Sequence, residues 1–152
     1  MSRITAREIA VHLVFELDFS ERSVTEVLSE RLTVENFQSF ADEYKIYEKF
    51  PDQNDSKYIE RVLSGVYEHI PELDSYIEKY AIGWSFGRIS RISVCIMRVS
   101  MYEIMYMPDV PRKAAINAAV DLAKAYESPE AAAFINGVLG SFVRGEPMAE
   151  EG

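Results

Sequence analysis

Apolar residues recur at intervals of three and four through most of this 152-residue chain, and no long segment alternates apolar and polar residues. That spacing places apolar side chains on one face of an α-helix, whereas alternation would indicate a β-strand. The first such segment starts with the capping-box sequence Thr5-x-x-Glu8 and predicts a helix over residues 5–18. The pattern therefore predicts an all-α fold, a compact bundle of about seven helices.

Capping residues, prolines and glycines divide the chain into its predicted helices. Ser23-x-x-Glu26 is a second capping box, Asp55 is a candidate cap, and Ser128-Pro129 combines a cap with proline at the first helical position. We expect one domain over residues 1–145 and a flexible tail over residues 146–152. The segments with helical spacing are 5–18, 23–32, 34–50, 55–66, 71–83, 86–107, 112–127 and 128–145.

One segment is rich in aromatic residues. Between residues 34 and 50, aromatic side chains follow one another at steps of three, four, three and three residues, which predicts a helix with an aromatic face. This face either covers the core or forms the contact of a homodimer, and the sequence leaves both alternatives open. The five residues are Phe37, Phe40, Tyr44, Tyr47 and Phe50.

The composition excludes several classes of site. A single cysteine, Cys95, cannot form an internal disulfide, and with only two histidines the chain offers no zinc-ligand spacing. The sequence contains neither a phosphate-binding glycine loop nor a Gly-x-Ser-x-Gly nucleophile motif, so we expect no catalytic residues, no cofactor and no metal. No signal peptide or 18-residue apolar segment is present, which predicts a cytoplasmic protein without a membrane span.

The net charge is −9, but its distribution is uneven. Residues 1–60 carry 13 acidic and seven basic side chains, whereas residues 83–113 carry two acidic and five basic ones. Arg3 and Arg7 lie one helical turn apart, where they either contact phosphates or pair with carboxylates. The total charge argues against a nucleic-acid-binding protein. The Arg3–Arg7 pair and the basic residues of 83–113 do not.

A second group of arginines lies on the predicted central helix. Arg88, Arg91 and Arg98 are spaced by three and seven residues and so lie on nearly the same face. They form a basic strip for a partner, or they pair with buried acids such as Glu103, because an isolated buried charge is very costly.

Seven stretches, in order and with matching spacing, resemble the NusB family of bacterial transcription antitermination factors. The resemblance implies an all-α fold of two packed helical subdomains and no catalysed reaction. It also implies binding to the boxA element of ribosomal RNA leader transcripts together with NusE, a small-subunit ribosomal protein, in an RNA polymerase antitermination complex that reads through terminators. The stretches are 5–10 (TAREIA), 58–66 (YIERVLSGV), 72–74 (ELD), 88–92 (RISRI), 97–104 (MRVSMYEI), 110–111 with 115–124 (VP and AINAAVDLAK), and 134–139 (FINGVL).

The same resemblance implies roles for individual residues. Those that match the family's RNA-contacting positions are Arg3, Arg7, Phe15, Glu130 and Phe134. Phe15 stands where the family often has tyrosine, and its ring still offers a face on which a base can stack.

The resemblance also implies that the helix from Arg88 to Tyr102 corresponds to the region that helps to receive NusE. The predicted partner-binding residues on it are Arg88, Arg91 and Tyr102.

Two departures from the family pattern concern the RNA surface. The N-terminal stretch has two arginines where many members have four or more basic residues, and Ala131–Ala133 stand where a basic residue often precedes the phenylalanine. Fewer phosphate contacts predict weak RNA binding by the chain alone and a dependence on NusE. The alternative is a protein-interaction adaptor of the same fold that has lost useful affinity for RNA.

Overall fold

A computed structural model describes residues 1–148 of the chain, and every regular element among them is helical, which confirms the all-α prediction. Two compact units are present, Met1–Tyr67 (unit 1) and Glu68–Gly152 (unit 2). Two short 3-10 helices, Lys45–Tyr47 and Phe86–Arg88, accompany eight α-helices within the described residues. The α-helices are α1 (Arg3–Asp18), α2 (Val24–Arg31), α3 (Val34–Phe40), α4 (Gln53–Glu68), α5 (Ile70–Tyr80), α6 (Arg91–Tyr106), α7 (Arg112–Tyr126) and α8 (Pro129–Gly145).

Helix α1 begins two residues earlier than the sequence predicts. The Ser2 hydroxyl accepts the backbone N–H of Thr5 at 3.1 Å, so Ser2 rather than Thr5 is the N-cap. The inner face of α1 is fully buried, from Ala6 through Leu17. The second predicted capping box is confirmed, because the Ser23 hydroxyl accepts the Glu26 N–H while the Glu26 carboxylate accepts the Ser23 N–H.

The prediction of one helix over residues 34–50 is wrong. Helix α3 ends at Phe40, the chain turns, and only Lys45–Tyr47 is helical again, as a 3-10 turn. A continuous helix would separate Phe37 from Phe50 by about 20 Å, whereas their ring centroids are 5.1 Å apart. Tyr47 is buried and packs edge-on to Phe37 at 5.0 Å, so the turn gathers the aromatic rings into one cluster. The spacing identified the aromatic group but not the path of the backbone.

The start of helix α4 corrects a second prediction. The carboxylate of Asp52, not that of Asp55, caps the helix by accepting the Asp55 backbone N–H at 2.8 Å. This backbone hydrogen bond lowers the pKa of Asp52. Asp55 lies buried inside the first turn, where its carboxylate is 3.5 Å from the amino group of Met1.

Helix α6 is the most buried helix of unit 2, as predicted, and every residue from Ser93 through Ile104 is buried. Its predicted start at Phe86 is wrong. The Ser90 hydroxyl accepts the Ser93 N–H at 3.3 Å and so caps α6. The backbone at Ile89 is extended, which separates the 3-10 helix Phe86–Arg88 from α6. Helices α7 and α8 pack against α6 and against each other, and α5 also contacts α6 and α8.

Arg98 on α6 pairs within the protein and is not part of a basic strip for a partner. Its side chain is 4% exposed, and Nε and Nη2 each donate to one carboxylate oxygen of Asp74 at 2.8 Å. The named candidate partner, Glu103, is buried, but the pairing carboxylate is that of Asp74 on α5. A two-point contact of this kind offsets the cost of burying the guanidinium.

Two further expectations concern the chain end and membranes. Glu146, the first residue of the predicted tail, accepts a hydrogen bond from the Lys79 ammonium at 2.6 Å and another from the Tyr80 hydroxyl. Residues 149–152 of that tail lie outside the described residues. Among residues 1–148, none of the helices has the length and apolar character needed to cross a membrane.

The Arg98–Asp74 pair generates a stability prediction. Arg98→Met keeps the length of the side chain but leaves the largely buried Asp74 carboxylate without its two-point partner. We expect a loss of about 2 kcal/mol in the free energy of unfolding, measured as a lower urea midpoint with an unchanged m-value. Arg144→Met, at an exposed arginine of α8, is the matched control and should stay within about 0.5 kcal/mol. Equal midpoints for the two variants would contradict the assigned role of Arg98.

Candidate functional site

The N-terminus of α1 presents an arginine at the surface of unit 1. Arg3 is exposed, and its guanidinium carbon lies 4.1 Å from the centroid of the buried Tyr58 ring. Within residues 1–148 the Arg3 guanidinium has no ion-pair partner. Tyr58 therefore holds the guanidinium by a cation–π contact and leaves its charge available to a ligand. Sequence reasoning missed Tyr58, which stands in the family-like stretch 58–66.

Arg7, the other predicted RNA-contacting arginine, is in a different environment. It is 6% exposed, so nearly all of its surface contacts protein atoms. The two arginines predicted as a pair therefore differ in access to solvent, and Arg3 is the one that a phosphate can reach freely. An RNA contact for Arg7 stays a prediction.

Further along α1, Phe15 forms part of an aromatic pair. Phe15 is half-buried, and its ring centroid is 4.8 Å from that of Phe19, in an edge-to-face arrangement. Phe19 is 66% exposed, which makes it one of the most exposed aromatic side chains among the described residues. The i, i+4 spacing of two phenylalanines was the signal in the sequence that could have predicted this pair.

His12 on α1 contacts the aromatic cluster of residues 37–50. Its Nδ1 atom is 3.2 Å from the hydroxyl oxygen of Tyr47, and its ring also lies edge-on to Tyr44. Burial lowers the pKa of the His12 imidazole below its usual 6.5, against a smaller opposing effect of Glu8. Burial also raises the pKa of Tyr47 to about 12, and the charge of Glu16 adds to that effect.

The two arginines that follow α1 form ion pairs with carboxylates. Glu16 accepts hydrogen bonds from Arg31, with Nη2 at 2.7 Å, and from Arg22. Arg22 also pairs with Glu30. These ion pairs leave neither arginine free for phosphate, whereas Arg3 is exposed and carries the candidate site of this unit.

In unit 2, two predicted RNA-contacting residues line one pocket, which also contains Trp84. Phe134 is half-buried, and its ring centroid is 5.3 Å from that of Trp84, with the planes tilted by 55°. The cavity measures about 230 Å³, and Glu130 and Arg88 also line it. We call it the Trp84–Phe134 pocket. Trp84 is 54% exposed and was missed by sequence reasoning.

The backbone explains how Trp84 reaches this pocket. Helix α5 ends at Tyr80, and Gly83 adopts a φ of 85°, a left-handed conformation that favours glycine. The turn is closed by the Trp84 N–H, which donates to the carbonyl of Ala81 at 3.1 Å. On the other side, Ser128 caps α8, and Glu130 and Phe134 follow one turn apart on that helix.

The three predicted partner-binding residues do not form one patch. Arg88 lines the Trp84–Phe134 pocket from the 3-10 turn, outside α6, and Arg91 is exposed in the first turn of α6. Tyr102 lies about 16 Å further along α6 and is only 7% exposed. Its ring stacks on that of Tyr106 at 5.3 Å, and the His69 ring lies 6.0 Å away. Binding of NusE by these residues stays a prediction.

The described residues contain no group of three or more His, Cys, Asp or Glu side chains that could hold a metal ion. The candidate surfaces combine exposed arginine with exposed or half-buried aromatic side chains, which suit phosphates and nucleobases.

Comparison with known proteins decides the family. The model of the NusB family matches residues 4–144. The chain belongs to the NusB family. Among similar proteins, transcription antitermination protein NusB of Acetivibrio thermocellus is 36% identical over 152 residues, which cover all of this chain and 95% of that protein. The protein of the same name from Thermoanaerobacter sp. (strain X514) is 38% identical, over 99% of this chain and 96% of its own.

Solved structures confirm the NusB fold. T. maritima NusB superposes with a TM-score of 0.72 at 22% identity, and the match covers 96% of this chain and 93% of that one. A structure of the antitermination factors NusB and NusE in complex with dsRNA superposes with a TM-score of 0.75 at 21% identity, covering 95% of this chain and 97% of that one.

The shifted pKa of His12 predicts a pH effect on stability. The unfolded chain takes up a proton at His12 near pH 6.5, whereas the folded chain does so only at lower pH. The free energy of unfolding should therefore fall as the pH drops from about 7.5 to about 5.5. His12→Gln retains a polar group facing Tyr47 but cannot titrate, so its stability should fall less over that range. Denaturant unfolding at both pH values measures the difference, and an equal fall in both proteins would contradict the assignment.

Proposed function

We propose that this chain is a transcription antitermination factor that binds boxA RNA of ribosomal RNA leader transcripts together with NusE. In this proposal the complex helps RNA polymerase read through terminators in the cytoplasm. The observation that carries the proposal is the match over nearly the whole chain to proteins named transcription antitermination protein NusB. The NusB of a similar fold that was solved with NusE and dsRNA supports both partners.

Exposed side chains on both units support RNA as a ligand. Arg3 offers an unpaired guanidinium, and Phe15 and Phe134 offer aromatic rings that are partly accessible. Single-stranded RNA is recognised by stacking of unpaired bases on aromatic rings and by cations that track the phosphates. Glu130, exposed on α8, adds an acceptor for an amino group on a base.

The charge of the chain supports binding as a complex rather than alone. With a net charge of −9, the chain repels a polyanion at long range and attracts a basic ribosomal protein. Arg22 and Arg31 are paired with carboxylates, so few cations near α1 can release counterions from RNA. We expect NusE to supply much of the affinity for RNA.

The adaptor alternative rests on the same thin basic surface. If Arg3 contributes nothing to RNA binding, the chain has kept the NusE contact without useful affinity for RNA. The burial of Arg7 favours this alternative, because it removes one of the two arginines of the N-terminal stretch from free contact with solvent.

An RNA titration tests the proposal. With NusE present, boxA-type RNA should bind more tightly than a scrambled RNA in a fluorescence anisotropy titration. Arg3→Gln removes one phosphate contact, so it should lower the affinity and reduce the slope of log K against log salt by about 0.7. Arg3 is a better choice than Arg7 because its exposure makes the substitution compatible with folding.

Lys49→Gln, at an exposed lysine in the same unit, is the matched control and should change neither the affinity nor the slope. Equal binding of boxA and scrambled RNA would overturn the proposal. Retained NusE binding, with RNA affinity unaffected by Arg3→Gln, would favour the adaptor.

A further inference from the structure

We propose that the Trp84–Phe134 pocket is a binding site for one nucleobase of single-stranded RNA, with Arg88 holding the adjoining phosphate. This inference rests on the proposed function and deepens it. It adds Trp84 to the residues assigned to the RNA surface. It also assigns Arg88 to the RNA surface, whereas the sequence predicted Arg88 to bind NusE.

The ring geometry determines where a base can lie. The centroids of Trp84 and Phe134 are 5.3 Å apart, whereas a base inserted between two rings needs about 7 Å between them. The base therefore stacks on the exposed face of Trp84, and Phe134 supports the indole from the other side. Because Trp84 is 54% exposed while Phe134 is half-buried, the division of roles agrees with their burial.

Polar groups at the pocket match the two ends of a nucleotide. Arg88 is exposed and has no ion-pair partner within residues 1–148, so its guanidinium is available to a phosphate. The exposed Glu130 carboxylate repels phosphate and instead accepts a hydrogen bond from the exocyclic amino group of a base. A base that carries such an amino group, which is cytosine, adenine or guanine but not uracil, fits this pair of charges.

Charge favours RNA over a basic protein as the occupant. The pocket has one basic lining residue, Arg88, which has no ion-pair partner within residues 1–148. Its guanidinium attracts the phosphates of a polyanion and repels the cationic side chains of a basic ribosomal protein. A pocket of about 230 Å³ with an aromatic wall also suits a flat ring rather than a helix face.

Trp84 is the single tryptophan of the chain and therefore reports directly on the pocket. The experiment titrates the full chain, in complex with NusE, with boxA-type single-stranded RNA and follows tryptophan fluorescence. The complex with Trp84→Phe provides the background from any tryptophan of NusE. We expect RNA to quench the Trp84 signal, with a midpoint equal to the dissociation constant from anisotropy.

Substitutions then separate stacking from charge. Trp84→Ala should weaken RNA binding by roughly 5- to 150-fold, the range for one base stacked on an aromatic ring. Trp84→Phe retains a ring and should weaken it much less. Ile82→Ala, at a side chain 85% exposed two residues earlier, is the control and should bind RNA like the parent. Arg88→Gln should reduce the salt slope by about 0.7, and Arg144→Gln should not.

Each remaining outcome overturns the inference. If boxA RNA binds preferentially but Trp84 is not quenched and Trp84→Ala binds as tightly as the parent, the pocket is not an RNA subsite, although the proposed function survives. If Trp84→Ala weakens binding to NusE in the absence of RNA, the pocket is a protein-binding site. If the complex shows no preference for boxA RNA, both the inference and the proposed function fail.

Discussion

The uninterrupted burial of α6 from Ser93 through Ile104 is the constraint on which unit 2 depends. A helix that is enclosed in this way must satisfy any charge it carries, and Arg98 does so through two hydrogen bonds to Asp74. Helices α5, α7 and α8 all contact α6. Helix α6 begins at Arg91 because the Ser90 hydroxyl caps it and the backbone at Ile89 is extended. The preceding residues are more exposed, and the Ser90 cap lets Arg88 and Trp84 lie outside the helix, beside Phe134.

Unit 1 is organised around aromatic packing instead. His12 and Tyr47 join α1 to the cluster of residues 37–50, and the cluster covers part of the unit's own core through the buried Phe37 and Tyr47. Arg3 is held over Tyr58 at the beginning of α1, and the Phe15–Phe19 pair lies near its end. The acidic side chains of this unit neutralise Arg22 and Arg31, and the candidate RNA surface here consists of Arg3 and the Phe15–Phe19 pair.

Much of the fold could be predicted from the sequence because helix formation depends on local patterns. Capping residues could be predicted where the local pattern marks a helix start, as at Ser23 and Ser128. The cap at Ser90 could not, because it lies inside an apolar run whose helical spacing continues upstream of it. The aromatic segment was mispredicted because spacing specifies which side chains share a surface but not whether a turn or a helix brings them together. Arg98 shows the same limit, since its partner Asp74 lies on another helix.

The candidate site could be predicted only in part for a related reason. Resemblance to the family identified Arg3, Phe15 and Phe134, which have a recognisable chemistry at matching positions. Neither Trp84 nor Tyr58 could be added in this way, because their contacts with Phe134 and Arg3 join elements far apart in sequence. The exposure of an arginine also depends on tertiary packing, and Arg3 and Arg7 differ in it although they are one turn apart.

Photo-crosslinking tests the central claim most directly, namely that RNA bases contact exposed aromatic rings of this chain within the NusE complex. Single-stranded boxA-type RNA would be irradiated with the complex by ultraviolet light, which can crosslink any of the four bases, and the modified peptides would be identified by mass spectrometry. The account predicts crosslinks in the peptides that contain Phe15, Trp84 or Phe134. Crosslinks confined to NusE, with none on this chain, would contradict it.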